Sequence, residues 1–153
     1  MAIASVLTNS FKTELLKGLH SFDTSGATPA GNVFKIALYN SSADLGTTTT
    51  AYTTTEELAT ATGYTRPGNT LTNTGVGTTT VTSFTDFSDV SWTSASFTAR
   101  GCLIYNTDVV SGFTNNRAVC GITFGGDKVV SSGTFTIQFP TNDASDAIIR
   151  ITS

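Results

Sequence analysis

The residues able to do chemistry in this chain are few and scattered. His20 is the only histidine. General acid–base catalysis needs such a group within reach of a nucleophile and an orienting acid, and the sequence shows neither beside it. It follows an apolar stripe, so a partly buried or capping histidine is the expected role. Glu56 and Glu57 are the only adjacent carboxylates. On a strand, neighbours point to opposite faces; in a loop they are ordinary solvated charges. The stretch N-T-G-V-G-T-T-T has a G-x-G but no third glycine and no phosphate-binding lysine, so it fails as a nucleotide motif. No D-x-D-x-D-G calcium loop is present. Cys102 and Cys120 form no C-x-x-C, and His20 is far from both, so no metal site is expected. No catalytic residue and no cofactor is expected either, and the chain reads as non-enzymatic.

The elements that would carry any site are mostly strands. Ser96–Asn106 and Arg117–Phe124 are rich in apolar, aromatic and β-branched residues, and a polar loop joins them. That pattern predicts an antiparallel hairpin in the middle of a sheet. It also sets Cys102 and Cys120 on neighbouring strands. Two free buried thiols are expected, because disulfides are rare in a reducing cytoplasm; a disulfide is the alternative. Arg100 is the one charge in its run, and Asp86 or Asp89 is the expected partner unless it lies at an interface. Val33–Tyr39 alternates Phe34, Ile36 and Leu38 against Lys35 and Tyr39, as in a sheet with one wet face. Further short strands are expected near Thr79–Thr85, at Lys128–Val130, at Thr134–Phe139 and in the Asp146–Thr152 tail. Asp86 and Asp89 look like turn acceptors. One amphipathic helix is predicted over Ser10–Leu19, with Phe11, Leu15 and Leu19 in its stripe and Asn9 or Ser10 as its cap.

The 153 residues fit one domain, 1–153, with residues 1–22 forming an arm and helix. Few helices and about eight strands with turn-rich connections predict an all-β, antiparallel sandwich of jelly-roll type. Residues 40–80 are Thr-rich and sparse in large apolar groups, with Tyr52, Leu58, Tyr64 and Leu71 as spaced anchors. They read as a long loop or extension carrying short strands near Gly63–Tyr64 and Thr70–Asn73, mobile in the free protein and fixed once a partner is bound. Charged residues make up only 12% and the formal net charge is −3, with no basic cluster. Nucleic-acid binding is therefore not expected, and no run is long and apolar enough for a membrane helix. The first ten residues lack the pattern of a secretory signal, which points to assembly in a reducing cytoplasm.

Three pieces of the chain are familiar together: T-N-S-F-K-T-E-L-L-K-G-L-H-S-F; F-K-I-A-L-Y-N-S-S-A-D-L-G followed by T-T-A-Y-T; and S-F-T-A-R-G-C-L-I-Y-N ahead of F-G-G-D-K. T-G-Y-T-R-P-G-N-T-L fits between them. Over Asn9–Pro140 the chain resembles small structural proteins of tailed-bacteriophage virions. The resemblance implies a decoration, or cement, protein on the capsid surface. Its partners would be the major capsid protein and copies of itself, as a homo-oligomer such as a trimer. Phe11, Leu15, Tyr52, Tyr64 and Arg66 are the candidate interface residues. The alternative is a tail- or fibre-associated module that recognises a host surface or carbohydrate, for which exposed rings such as Trp92, Tyr52 or Tyr64 would be needed.

Overall fold

The apolar run from Val90 to Asn106 forms one strand, β6, and Arg117–Ile137 forms its partner, β7. A computed structural model describes residues 2–26, 31–61 and 63–153. Around this hairpin lie β1 (Val6–Leu7), α1 (Asn9–Leu16), β2 (Phe34–Tyr39), β3 (Asn69–Thr70), β4 (Asn73–Thr78), β5 (Thr82–Phe87) and β8 (Ile149–Thr152). One sheet has the order β1-β7-β6-β2-β3 and the other β4-β5-β8. Every pairing is antiparallel. The chain is an all-β sandwich with one short helix. Its strands divide five and three, an order that does not by itself establish a jelly roll.

The hairpin is longer than the sequence suggests. The runs at Lys128–Val130 and Thr134–Phe139, expected as separate strands, mostly belong to β7 itself, which ends at Ile137. The turn signals between them became bulges. From Thr123 to Lys128 β7 advances five residues, while β6 advances two, from Gly101 to Ala99. Gly125 and Ser132 take positive φ in this region. The surplus curls the ribbon until the Phe124 and Phe135 rings, on one strand, lie 5.9 Å apart. Arg100 sits at this irregularity and pairs with Asp127 at 3.1 Å, not with Asp86 or Asp89. Those two carboxylates do accept backbone N–H groups. Asp86 takes Phe87 and Ile148, and Asp89 takes Phe139.

The helix is shorter than expected and starts one residue earlier. Thr8, not Asn9 or Ser10, caps it, accepting from the Phe11 amide at 3.1 Å. Phe11 is buried and Leu15 half-buried, but Leu16 is 90% exposed, so the stripe is narrower than its sequence implies.

Two apolar clusters follow from the sheet. The larger lies between the sheets, where Phe22 stacks on Phe34 at 4.5 Å, Phe34 meets Phe87 at 5.5 Å and Phe87 meets Phe139 at 6.0 Å. The smaller lies on the opposite face of the five-stranded sheet and contains Ile3, Ala37, Tyr39, Leu45, Leu103 and Tyr105. The face expected to be wet is therefore covered. Cys102 and Cys120 are free and face the larger cluster, diagonal to one another through the Cys102–Ile122 and Ile104–Cys120 pairs. Burial pushes the Cys120 thiol up to about 12 and Cys102 well above its usual value, so neither is a ready nucleophile.

The cover is Ile3 together with Ala43, Leu45 and Tyr52 of the segment that follows β2, whereas Leu58 and Tyr64 of the same segment pack on the larger cluster. Backbone hydrogen bonds fasten this segment to the sheet. Tyr52 N–H reaches Asn116 O at 2.8 Å and Ala118 N–H reaches Thr50 O at 3.0 Å, on the β7 side. Leu58 N–H reaches Leu38 O at 2.9 Å on the β2 side. Gly68, at φ +85°, lets the returning chain lie against β2; a Cβ there would run into Ile36 O. Phe34→Ala should remove a ring shared by Phe22 and Phe87. A loss of about 3–5 kcal/mol is expected, read as a lower midpoint in urea unfolding with an unchanged slope.

Candidate functional site

Three places gather the chain's polar or exposed apolar chemistry. The first is Glu57, expected as a solvated charge but 3% exposed. Tyr52 donates its hydroxyl to one carboxylate oxygen at 2.6 Å and Tyr64 donates to the other at 2.7 Å. The Arg66 Nε lies 3.4 Å away. Arg66 also donates to the backbone carbonyls of Glu57 and Leu58. The Tyr64 oxygen in turn accepts from the Leu38 amide at 3.0 Å. Burial, then the hydrogen bond to Glu57, pushes the Tyr64 and Tyr52 hydroxyls well above their usual range. Both remain neutral donors, and the cluster fastens Tyr52, Glu57 and Tyr64 to β2 through the Leu38 amide.

The second is a cluster of Glu14, His20, Asn106 and Arg117. Arg117 is fully buried although it carries a charge. Its terminal nitrogens donate to Leu19 O at 3.0 Å and Thr114 O at 3.3 Å. Its Nε has no partner, with Glu14 3.9 Å away. His20 Nε2 lies 2.8 Å from the same Glu14 oxygen. The ring packs edge-on to Phe11 at 4.9 Å and parallel to Phe34 at 6.5 Å. The expectation of a buried histidine holds.

The third is an open apolar seam between the two sheets. A groove of about 520 Å³ is lined by Phe124, Phe135, Ile137, Phe139 and Ile148. It shares Ile122 and Ile148 with a second of about 340 Å³ beside Val6 and Leu7. Leu7 then leads to a third, beside Leu15, Leu16 and Ile151. β1 pairs with β7 only at Cys120 and Gly121. At its start Ala51 bridges Arg117, and from Ile122 to Ile137 the outer edge of β7 pairs with no strand among the described residues.

Of the five residues expected at an interface, Tyr52, Tyr64 and Arg66 converge on Glu57, and Leu15 borders the seam. Phe11 and Tyr64 are 1% exposed and belong to the core. Trp92 is 3% exposed, so neither it nor Tyr64 offers a free ring to a sugar. The alternation of Phe135, Ile137 and Phe139 is legible in sequence, but it gives an inner face and not the gap beside it. Among the described residues no group of three or more His, Cys, Asp or Glu is placed to hold a metal, and no helix is long and apolar enough to cross a membrane.

No protein-family model, curated protein or solved structure matches the chain. The reading of the site therefore rests on its geometry. Tyr64→Phe removes one of two hydroxyl donors from a buried carboxylate. A loss of about 1–3 kcal/mol is expected in urea unfolding. Tyr52→Phe, at a wetter position where water can replace the donor, should cost clearly less.

Proposed function

We propose that this chain is a non-enzymatic structural protein of a tailed-bacteriophage virion, which decorates the capsid and stabilises it by binding the major capsid protein and other copies of itself. The resemblance over Asn9–Pro140 supplies the virion context. The observation that carries an assembly role is the apolar groove beside the part of β7 that is unpaired from Ile122 to Ile137. Its Phe and Ile side chains are half-buried, and a partner segment laid along them would remove apolar surface from water. Each such side chain contributes roughly 1 kcal/mol when covered. An edge strand adds backbone hydrogen bonds to an incoming extended chain.

The composition suits this role. With 12% charged residues, much of the surface can be buried without desolvating ions. A rigid sandwich repeated around a particle turns several modest contacts into a firm hold. The carbohydrate-binding tail reading draws less support, because Trp92 and Tyr64 are inside.

The test is co-sedimentation of the purified chain with phage heads stripped of accessory proteins, with isolated tails and with host cells. Saturable binding to heads, with raised thermal resistance of the capsid, is expected. Binding to tails or cells, with none to heads, would overturn the proposal.

A further inference from the structure

The second polar cluster has a feature that its structural role does not use. Asn106 Oδ1 accepts from the Asp108 amide at 2.9 Å, which fixes the amide's orientation. Its Nδ2 therefore faces His20 Nδ1 at 3.0 Å and Asn32 Oδ1 at 2.9 Å, and donates to both. His20 Nδ1 is then an acceptor, and the ring's single proton is on Nε2, donated to Glu14. A second proton has nowhere to go. On Nδ1 it would meet the Asn106 amide hydrogens. Turning that amide would set its NH₂ against the Asp108 N–H.

Charge works in the same direction. Among the described residues Glu14, from α1, is the carboxylate paired with the ring, and the same oxygen lies 3.9 Å from Nε of the buried Arg117 from β7. β2 and β6 present Phe34 and Asn106, which are uncharged. Asp108, in the loop after β6, has a carboxylate oxygen 3.0 Å from the Val33 amide. Lys17, at the helix C-cap, lies over the Phe113 ring. Protonating His20 would give two buried cations one shared carboxylate.

We propose that Glu14, His20, Asn106 and Arg117 form an acid-opened latch: protonation of His20 unfastens the end of α1, residues 19–22 and 32–33, and the 107–116 loop, while both sheets stay folded. These are the segments the cluster ties together. Arg117 holds Leu19 O and Thr114 O, Asn106 Nδ2 reaches Asn32 Oδ1, and Asn32 Oδ1 also accepts from the Ser21 amide at 2.7 Å. Burial holds His20 below its ordinary value, against the upward pull of Glu14, and Arg117 adds to the lowering. An opened latch frees the ring to titrate near ~6.5. The closed form is thus fully favoured above that pH and loses ground as pH falls toward the closed-form value.

The test uses the unmodified chain, whose sole histidine gives one ring signal in an NMR titration. A midpoint below ~6.5 is expected. Amide protection factors at 19–22, 32–33 and 107–117 should fall roughly tenfold per pH unit between ~6.5 and that midpoint. Those of β2 and β5 should not change. In His20→Gln, which cannot take up a proton, the pH dependence should vanish. Three results would overturn the latch: a midpoint at or above ~6.5, an equal loss of protection in β2 and β5, or the same pH dependence in the variant.

Discussion

Everything in this molecule follows from burying the middle of β6 on both faces. Gly101, Cys102, Leu103, Ile104, Tyr105 and Asn106 are all buried. Successive side chains point to opposite sides, so two layers are needed where an ordinary antiparallel sheet needs one. The three-stranded sheet and α1 supply the first. The second has no sheet of its own and is made from Ile3 and from Ala43, Leu45 and Tyr52 of the segment that follows β2. A layer with so few large apolar residues cannot hold by burial alone. Its polar fastening to Glu57 and its backbone bonds to β2 and β7 are the necessary complement.

The same constraint explains where the charges are. A chain with few charged residues does not spend them all on solubility. Asp86, Glu57 and Arg117 are buried, and each is surrounded by backbone groups or hydroxyls. A buried charge is tolerable only when so satisfied. Each of these three ties together segments that are distant in sequence. Asp86 joins β5 to the start of β8, Glu57 joins the cover to β2, and Arg117 joins β7 to the turn after α1.

This is also why the sequence is legible in some regions and opaque in others. The central hairpin, β2, the helix and the all-β class can be read directly, because apolar periodicity reports burial on a repeating element. Lys35 and Tyr39 look like a wet face because periodicity reports one face at a time. Ala37 and Tyr39 are buried in a cluster with Ile3, Leu45 and Tyr52, which lie outside β2 and leave no mark on its own pattern. Glu57 is legible only as a charge, since nothing local marks a carboxylate that Tyr52 and Tyr64 will enclose. The Gly125–Gly126 and Ser131–Gly133 signals are real, but inside a paired ribbon they produce bulges instead of chain reversals, and the strand continues through them.

α1 belongs to two of the three places at once. On one side Glu14 holds His20 beside Arg117. On the other, Leu15 and Leu16 border the end of the apolar seam. A helix of 8 residues has little stability of its own. Its position is set by Thr8 at one end, by Phe11 in the core and by Glu14 near the other end. Glu14 is thus the residue next to the Leu15 and Leu16 wall of the seam. Under the two proposals above, a partner laid along the seam would restrain the helix and so favour the closed cluster, by the reciprocity of linked equilibria.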